Sequence, residues 1–278
     1  MRENVKDVSD TIEKFVENLN LHNKKIKQNN EIKKVKYSGL KKLIELNNLV
    51  KEYKIKKQKI SVVNNLSFNI YQGQNVALLG GNGAGKTTTV EMIVGILKPT
   101  SGKITYNFSD SSTATNGSSK IGIQFQDSSY PQGLTVKDVI KSVNKIYGNL
   151  TNDREMELLT KIFGIDEFIN NKASSLSGGQ HQRLNALLAI VNKPELLILD
   201  ELSTGLDIKI KSRLVNFLKE FIKKTNSTLL LVSHDINEIE TLADRIVIID
   251  KGVLIYDNTI EETRKKYGNV SKCLEHFI

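Results

Sequence analysis

The run Gly80-Gly81-Asn82-Gly83-Ala84-Gly85-Lys86-Thr87 has the spacing G-x-x-x-x-G-K-[ST]. Glycines let successive backbone N–H groups face a phosphate without side-chain obstruction, and a helix starting at their end adds its dipole. A lysine placed as Lys86 is reaches β- and γ-phosphates as a point charge, and a hydroxyl placed as that of Thr87 is suits Mg²⁺. Gly80, Asn82, Gly83, Gly85, Lys86, Thr87 and Thr88 are therefore candidate nucleotide contacts. Further on, Leu196-Leu197-Ile198-Leu199-Asp200-Glu201 delivers two carboxylates at the end of an apolar run, as Mg²⁺ coordination beside a phosphate loop requires. Between them, Ser177-Gly178-Gly179-Gln180 has capping-box spacing and two bare glycines, which makes a helix start suited to an anion. Ser233-His234-Asp235 is not a hydrolytic triad, because neighbours in sequence cannot converge as a triad does.

These residues need elements to hold them. Val76–Leu79 reads as a strand entering the glycine loop, with Val90, Ile93, Val94 and Leu97 at helical spacing after it. Short β-rich runs at 43–46, 60–63 and 66–70 precede it. Apolar runs at 196–199, 228–232 and 245–249 alternate with helical patterns, which indicates a mostly parallel sheet covered on both faces. Asp250-Lys251-Gly252 turns the last of these into a hairpin with 253–256. Two helical patterns predict a helical insertion at about 127–175. One is begun by Thr135 and stopped by Gly148; the other carries Leu158, Leu159, Ile162 and Phe163 and is stopped by Gly164. Residues 109–119 read as a polar loop.

The 278 residues suffice for one sizeable core, and 39% apolar with 26% charged residues is the composition of a globular protein. The sequence contains no apolar stretch near the roughly 20 residues of a membrane-spanning helix, and its first residues lack a secretory h-region. A single cysteine, Cys273, fits a reducing compartment and a structural or surface thiol. Of the net charge of +9, residues 1–59 carry +8, with 16 Lys+Arg against 8 Asp+Glu. The basic character belongs to this segment, which weakens a nucleic-acid reading of the whole chain. Residues 1–42 read as a basic N-terminal extension, partly helical from Ser9 or Asp10 or disordered, ahead of a domain at 43–278.

Leu176-Ser177-Gly178-Gly179-Gln180 with Gln182-Arg183 resembles the signature sequence of ABC ATPases, and the resemblance extends over nearly all of 43–278. It implies a P-loop NTPase core with an antiparallel β subdomain and a helical insertion subdomain. It implies ATP and Mg²⁺, with Asp200, Thr87 and Gln126 at the metal and Glu201 polarising the attacking water. His234 matches the γ-phosphate contact, Tyr53 the adenine-stacking aromatic, and Asp207 the D-loop aspartate of Ser203 to Asp207. Ser177, Gly179 and Gln180 are implied to serve the nucleotide of a second ABC ATPase domain. Gly81 and Leu202 stand where the family usually has proline, a departure that bears on loop stiffness. The ending of the chain is similar to the drug- and antibiotic-exporter branch, which implies a separate transmembrane permease subunit and a peripheral place on the cytoplasmic face of the membrane. The competing expectation is a soluble ABC ATPase of an assembly or nucleic-acid machine; no nucleic-acid partner is expected.

Overall fold

Aliphatic residues recurring along 42–71 build a long hairpin, seen in a computed structural model that describes residue 14 and residues 39–55, 58–109, 118–125, 129–202 and 205–278. Strand β1 (Lys42–Ile55) pairs antiparallel with β2 (Gln58–Tyr71), from Lys42 opposite Tyr71 to Ile55 opposite Gln58. The short runs at 60–63 and 66–70 are thus one strand, continued through Asn65 at φ 52°. Polar Asn64 and Asn65 hide that continuity from an apolar pattern, while the ladder to β1 carries the backbone through them. Strand β4 (Ser101–Tyr106), which the sequence reading passed over, pairs antiparallel with the other edge of β1. Leu43, Leu46, Leu49, Val63, Leu66, Phe68 and Ile70 are buried in this subdomain.

The chain divides into two units, residues 40–121 with 228–278, and residues 122–227. In the first, β3 (Val76–Leu79) runs parallel to both its neighbours, β7 (Thr228–Val232) and β8 (Arg245–Asp250). Strand β9 (Val253–Thr259) closes antiparallel on β8. β3 and β7 are buried throughout, which is why they read as unbroken apolar runs. The β8–β9 turn is Lys251 at φ 46° and Gly252 at φ 76°, the two positive values a two-residue type I′ hairpin needs. Helix α1 (Lys86–Ile93) follows the phosphate loop; it stops at Val94, with Gly95 at φ 82°, so Leu97 lies beyond the helix its spacing suggested. Helices α6 (Ile236–Leu242), α7 (Ile260–Tyr267) and α8 (Val270–Phe277) complete this unit, and Cys273 is fully buried. Burial pushes its thiol pKa up, the state of an inert packing residue.

In the second unit, β5 (Ile121–Gln124, from Gly122 onward in this unit) neighbours β6 (Leu196–Asp200). Gly122 has no substitute there, since a Cβ would fall 1.8 Å from the Ala189 carbonyl oxygen. The helical insertion holds α2 (Val136–Ile146) and α3 (Asp153–Ile162), each opened by a capping box: Thr135 with Asp138, and Asn152 with Glu155. The Thr135 bonds hold the Asp138 carboxyl below the ordinary carboxylate range. Gly148 (φ 74°) and Gly164 (φ 61°) follow the two helices, as their sequence positions suggested. Helices α4 (Gly178–Leu188) and α5 (Ile208–Thr225) carry the remaining motifs. The expected N-terminal helix, the centre of the 109–119 loop, Gln126, and Ser203-Thr204 fall outside the described residues, save that Lys14 is helical.

Candidate active site

Backbone bonds in series hold the phosphate loop. Gly252 N–H donates to the Ala84 carbonyl at 2.9 Å, and Asn64 N–H donates to the Gly252 carbonyl at 2.9 Å. Loop, hairpin turn and β2 are thereby tied together. The approach is so close that a Cβ on Gly80 would lie 2.2 Å from the Ile249 oxygen and one on Gly85 2.8 Å from the Val62 oxygen. Gly83 differs: its Cβ direction is open to 4 Å, and its φ of 76° is one that residues with a side chain rarely adopt.

Gly85 caps α1 with no side-chain bond and no acidic residue in the first turn, the arrangement that leaves a helix start suited to an anion. Lys86 Nζ donates to the Gly80 and Gly81 carbonyls, at 2.7 and 3.1 Å. A triphosphate offers the same ammonium charged oxygens, which make stronger hydrogen bonds than neutral carbonyls. Asn82, Gly83 and Thr87 are exposed beside it and Thr88 is half-buried. Thr89, by contrast, is buried and donates its hydroxyl to the Gly85 carbonyl at 2.8 Å, closing the first helical turn. The glycine loop, the lysine and the uncapped helix start fit a nucleoside triphosphate.

Two further candidates lie in the same unit. Tyr53 is 36% exposed on β1, and its cross-strand partner Ile60 is 44% exposed. Lys51 Nζ lies 5.3 Å from the Tyr53 ring centroid. An exposed ring beside an exposed aliphatic is a stacking surface rather than core. His234 is exposed just past β7. Its neighbours fix the turn: buried Ser233 donates to Glu238 Oε2 at 2.6 Å and accepts from Asp235 N–H at 3.0 Å, while Asp235 accepts from Glu238 N–H at 3.0 Å. Ser233 and Asp235 are thus occupied by the cap of α6, and His234 is left facing solvent.

The other unit carries the carboxylates. β6, buried along its whole length, ends in Asp200, which is 4% exposed. Glu201 follows in a left-handed conformation, φ 54°. For a residue with a Cβ this costs about 1–2 kcal/mol; it turns the chain sharply, so that consecutive carboxylates are presented differently. Asp200 and Thr87 each offer oxygen, the donor type that magnesium takes.

At α4, Ser177 caps the helix with a full capping box: its N–H donates to Gln180 Oε1 at 3.0 Å, and its hydroxyl accepts from Gln180 N–H at 3.4 Å. A Cβ on Gly178 would meet nothing, whereas one on Gly179 would lie 2.9 Å from the Gly205 carbonyl oxygen. One glycine thus opens the helix start and the other lets the segment before α5 pack against it. Asp207 caps α5, accepting from Lys209 and Ile210 N–H, both at 3.0 Å. Arg183, buried one turn further along α4, donates to the Gly164 carbonyl at 2.9 Å and lies over the Phe168 ring. Burial lowers its pKa, and the Glu167 carboxylate opposes that shift. Tyr130 and Gln124, absent from the sequence reading, also engage α4. A lone tyrosine in a turn-rich stretch and a glutamine ending a short strand carry no motif.

A family model described as "ABC transporter" matches residues 63–204, just over half of the chain. A model for an "AAA domain, putative AbiEii toxin, Type IV TA system" overlaps residues 170–240. Among curated proteins, the chain is 33% identical over 230 residues to the linearmycin resistance ATP-binding protein LnrL of Bacillus subtilis, covering 81% of this chain and 72% of that one. It is 29% identical to the ABC transporter ATP-binding protein NatA of the same organism, covering 79% and 90%. The spermidine/putrescine import ATP-binding protein PotA of Spiroplasma citri is 33% identical, over 76% of this chain and 60% of that one. Among solved structures, a dimeric ATP-binding cassette in a post-hydrolysis state bound to ADP and Pi superposes with a TM-score of 0.67 at 28% identity, covering 78% of this chain and 98% of that one. With the phosphate loop and capped signature helix in place and these matches spanning both units, the chain belongs to the ABC transporter family as an ATP-binding domain.

Proposed function

We propose that this chain hydrolyses ATP in a pair of cassettes and drives a separate transmembrane permease, in the direction of export. The observation that carries the catalytic part is the end of β6, where buried Asp200 and left-handed Glu201 place two carboxylates in succession. A backbone cost of this kind is kept where the side chain's direction matters.

Lys86 and the first-turn amides of α1 bind the β- and γ-phosphates, and the bare backbone at Gly83 lets them approach. Thr87 and Asp200 hold Mg²⁺, with Gln126 as a third oxygen donor. When bound, the ion would supply charge neutralisation at the phosphate oxygens. Glu201 accepts a hydrogen bond from water and orients it toward the γ-phosphorus, while His234 donates to the γ-phosphate. Tyr53, with Ile60 beside it, stacks on the adenine. Ser177, Gly179 and Gln180 present the capped start of α4 to the nucleotide held by a second cassette, and Asp207, through the segment it caps, supports that surface.

Support for a permease on another chain comes from the relatives NatA and LnrL, each named as an ATP-binding protein and covered by this chain over 90% and 72% of its length. The chain works at the cytoplasmic face of the membrane through that partner. Export is favoured by the resistance protein among the relatives and by the chain's ending; relatives named for import share the ATPase chemistry and leave direction to the permease.

Two experiments test this reading. Phosphate release by the purified chain is expected to need Mg²⁺ and to fall at least ~100-fold in Lys86→Ala and Glu201→Gln; unchanged release in both would refute the assigned chemistry. The Glu201→Gln chain, recovered in mild detergent with ATP, is expected to bring a polytopic membrane protein that lacks its own ATPase domain. Recovery of soluble proteins or nucleic acid alone would replace the transporter reading by a soluble ABC machine.

A further inference from the structure

Two side chains on either side of the β5 exit grip the same helix. Before it, buried Gln124 donates through Nε2 to Gln182 Oε1 at 2.5 Å. After it, Tyr130 donates its hydroxyl to Asn185 Oδ1 and stacks on the imidazole of His181, with centroids 5.2 Å apart and planes 22° from parallel. Gln182 and Asn185 are buried; Tyr130 and His181 are half-buried. His181 N–H in turn donates to the Ser177 carbonyl at 2.8 Å, so the stacked imidazole belongs to the first turn of α4. Ser177 is the cap of that turn, and Gly179 lies within it. Tyr130 therefore holds α4 at two successive turns, once by its ring and once by its hydroxyl. Rings stacked with an offset contribute about 0.5–1.5 kcal/mol beyond their buried area, and a hydrogen bond to a buried amide adds a direction that packing alone lacks.

We infer that Tyr130 is a positioning residue for the nucleotide of the partner cassette, acting through His181 and Asn185 on the Ser177–Gly179 turn. The inference rests on the paired-cassette reading above. Groups that present a helix start to a phosphate lose rate steeply when displaced by about 1 Å. Tyr130 should then affect the site completed by its own α4 and leave its own phosphate loop untouched.

Complementation between two inactive variants separates these cases. Tyr130→Ala is expected to bind an ATP analogue as the wild type does but to lose at least ~10-fold in turnover, with Tyr130→Phe in between because it keeps the ring and loses the hydroxyl. Lys86→Ala is inactive through its own phosphate loop. Mixed pairs of these two variants hold one intact composite site, so mixing is expected to restore about a quarter of wild-type turnover, half of random pairs being mixed and half of their sites intact. If the mixture stays at the level of the separate variants, or if Tyr130→Ala turns over like the wild type, the inference is overturned. His181→Ala repeats the test should Tyr130→Ala fail to fold, and the same recovery is expected. Ser177→Arg mixed with Lys86→Ala is the control. Recovery there without recovery for Tyr130→Ala rejects the role of Tyr130 alone, whereas failure of the control rejects the paired-cassette reading and Tyr130's role with it.

Discussion

Glu201 combines a chemical group with an unfavourable backbone, and the two can be separated by substitution. Its φ of 54° costs a residue with a Cβ about 1–2 kcal/mol, a cost that glycine avoids. Glu201→Gly is therefore expected to keep or raise the melting temperature while abolishing phosphate release; a clear fall in melting temperature would show that the side chain stabilises the fold and that the backbone is not under strain. Tyr53 allows a similar separation of binding from chemistry. Aromatic stacking on a base is worth about 1–3 kcal/mol, so Tyr53→Ala is expected to raise the KM for ATP roughly tenfold with kcat nearly unchanged. An unchanged KM would place the adenine elsewhere. Local backbone geometry was the part most legible in the sequence: G-x-x-x-x-G-K-T leads into the start of α1 and Ser177–Gln180 forms a capping box, because such spacing reflects the backbone nearby. Tyr130 was not legible, because its partners His181 and Asn185 lie about 50 residues away and nothing local marks the pairing.

At the scale of elements, the helix starts expected at Thr135 and Ser177 accept first-turn N–H groups, and Asn152 and Asp207, which the sequence reading did not name as caps, do the same. The edges of the antiparallel subdomain did not follow in this way. β2 continues through polar positions and β4 is only six residues of mixed character, and both depend on pairing with β1 rather than on their own pattern. Helix α1 ends sooner than its apolar spacing suggested because Gly95 takes a positive φ. A pH dependence belongs to this scale. The Asp138 carboxyl, held low by the Thr135 bonds, contributes stability that is fully present above the unfolded carboxylate value and is lost as pH falls through the lower folded value. Melting temperature should decline on acidification below about pH 3.9, and Asp138→Asn should lower the neutral-pH melting temperature and flatten that part of the decline, so that the two proteins converge in acid. Identical acid slopes in the two proteins would remove the cap from the account.

At the scale of the whole molecule, the basic charge resides in residues 1–59, so solubility and surface adsorption belong to that segment rather than to the ATPase chemistry. The matches to cassettes that cover 78% and more of the chain carry the fold, and a fold does not by itself name a permease or its substrate. Pairing of two cassettes around ATP is the central claim, and it has a direct physical readout in molar mass. Light scattering of Glu201→Gln with saturating ATP and Mg²⁺ is expected to give twice the mass of the 31.2 kDa chain, reverting to one chain when ATP is replaced by ADP or when Lys86→Ala is added. A single-chain mass with ATP demonstrably bound would contradict the claim.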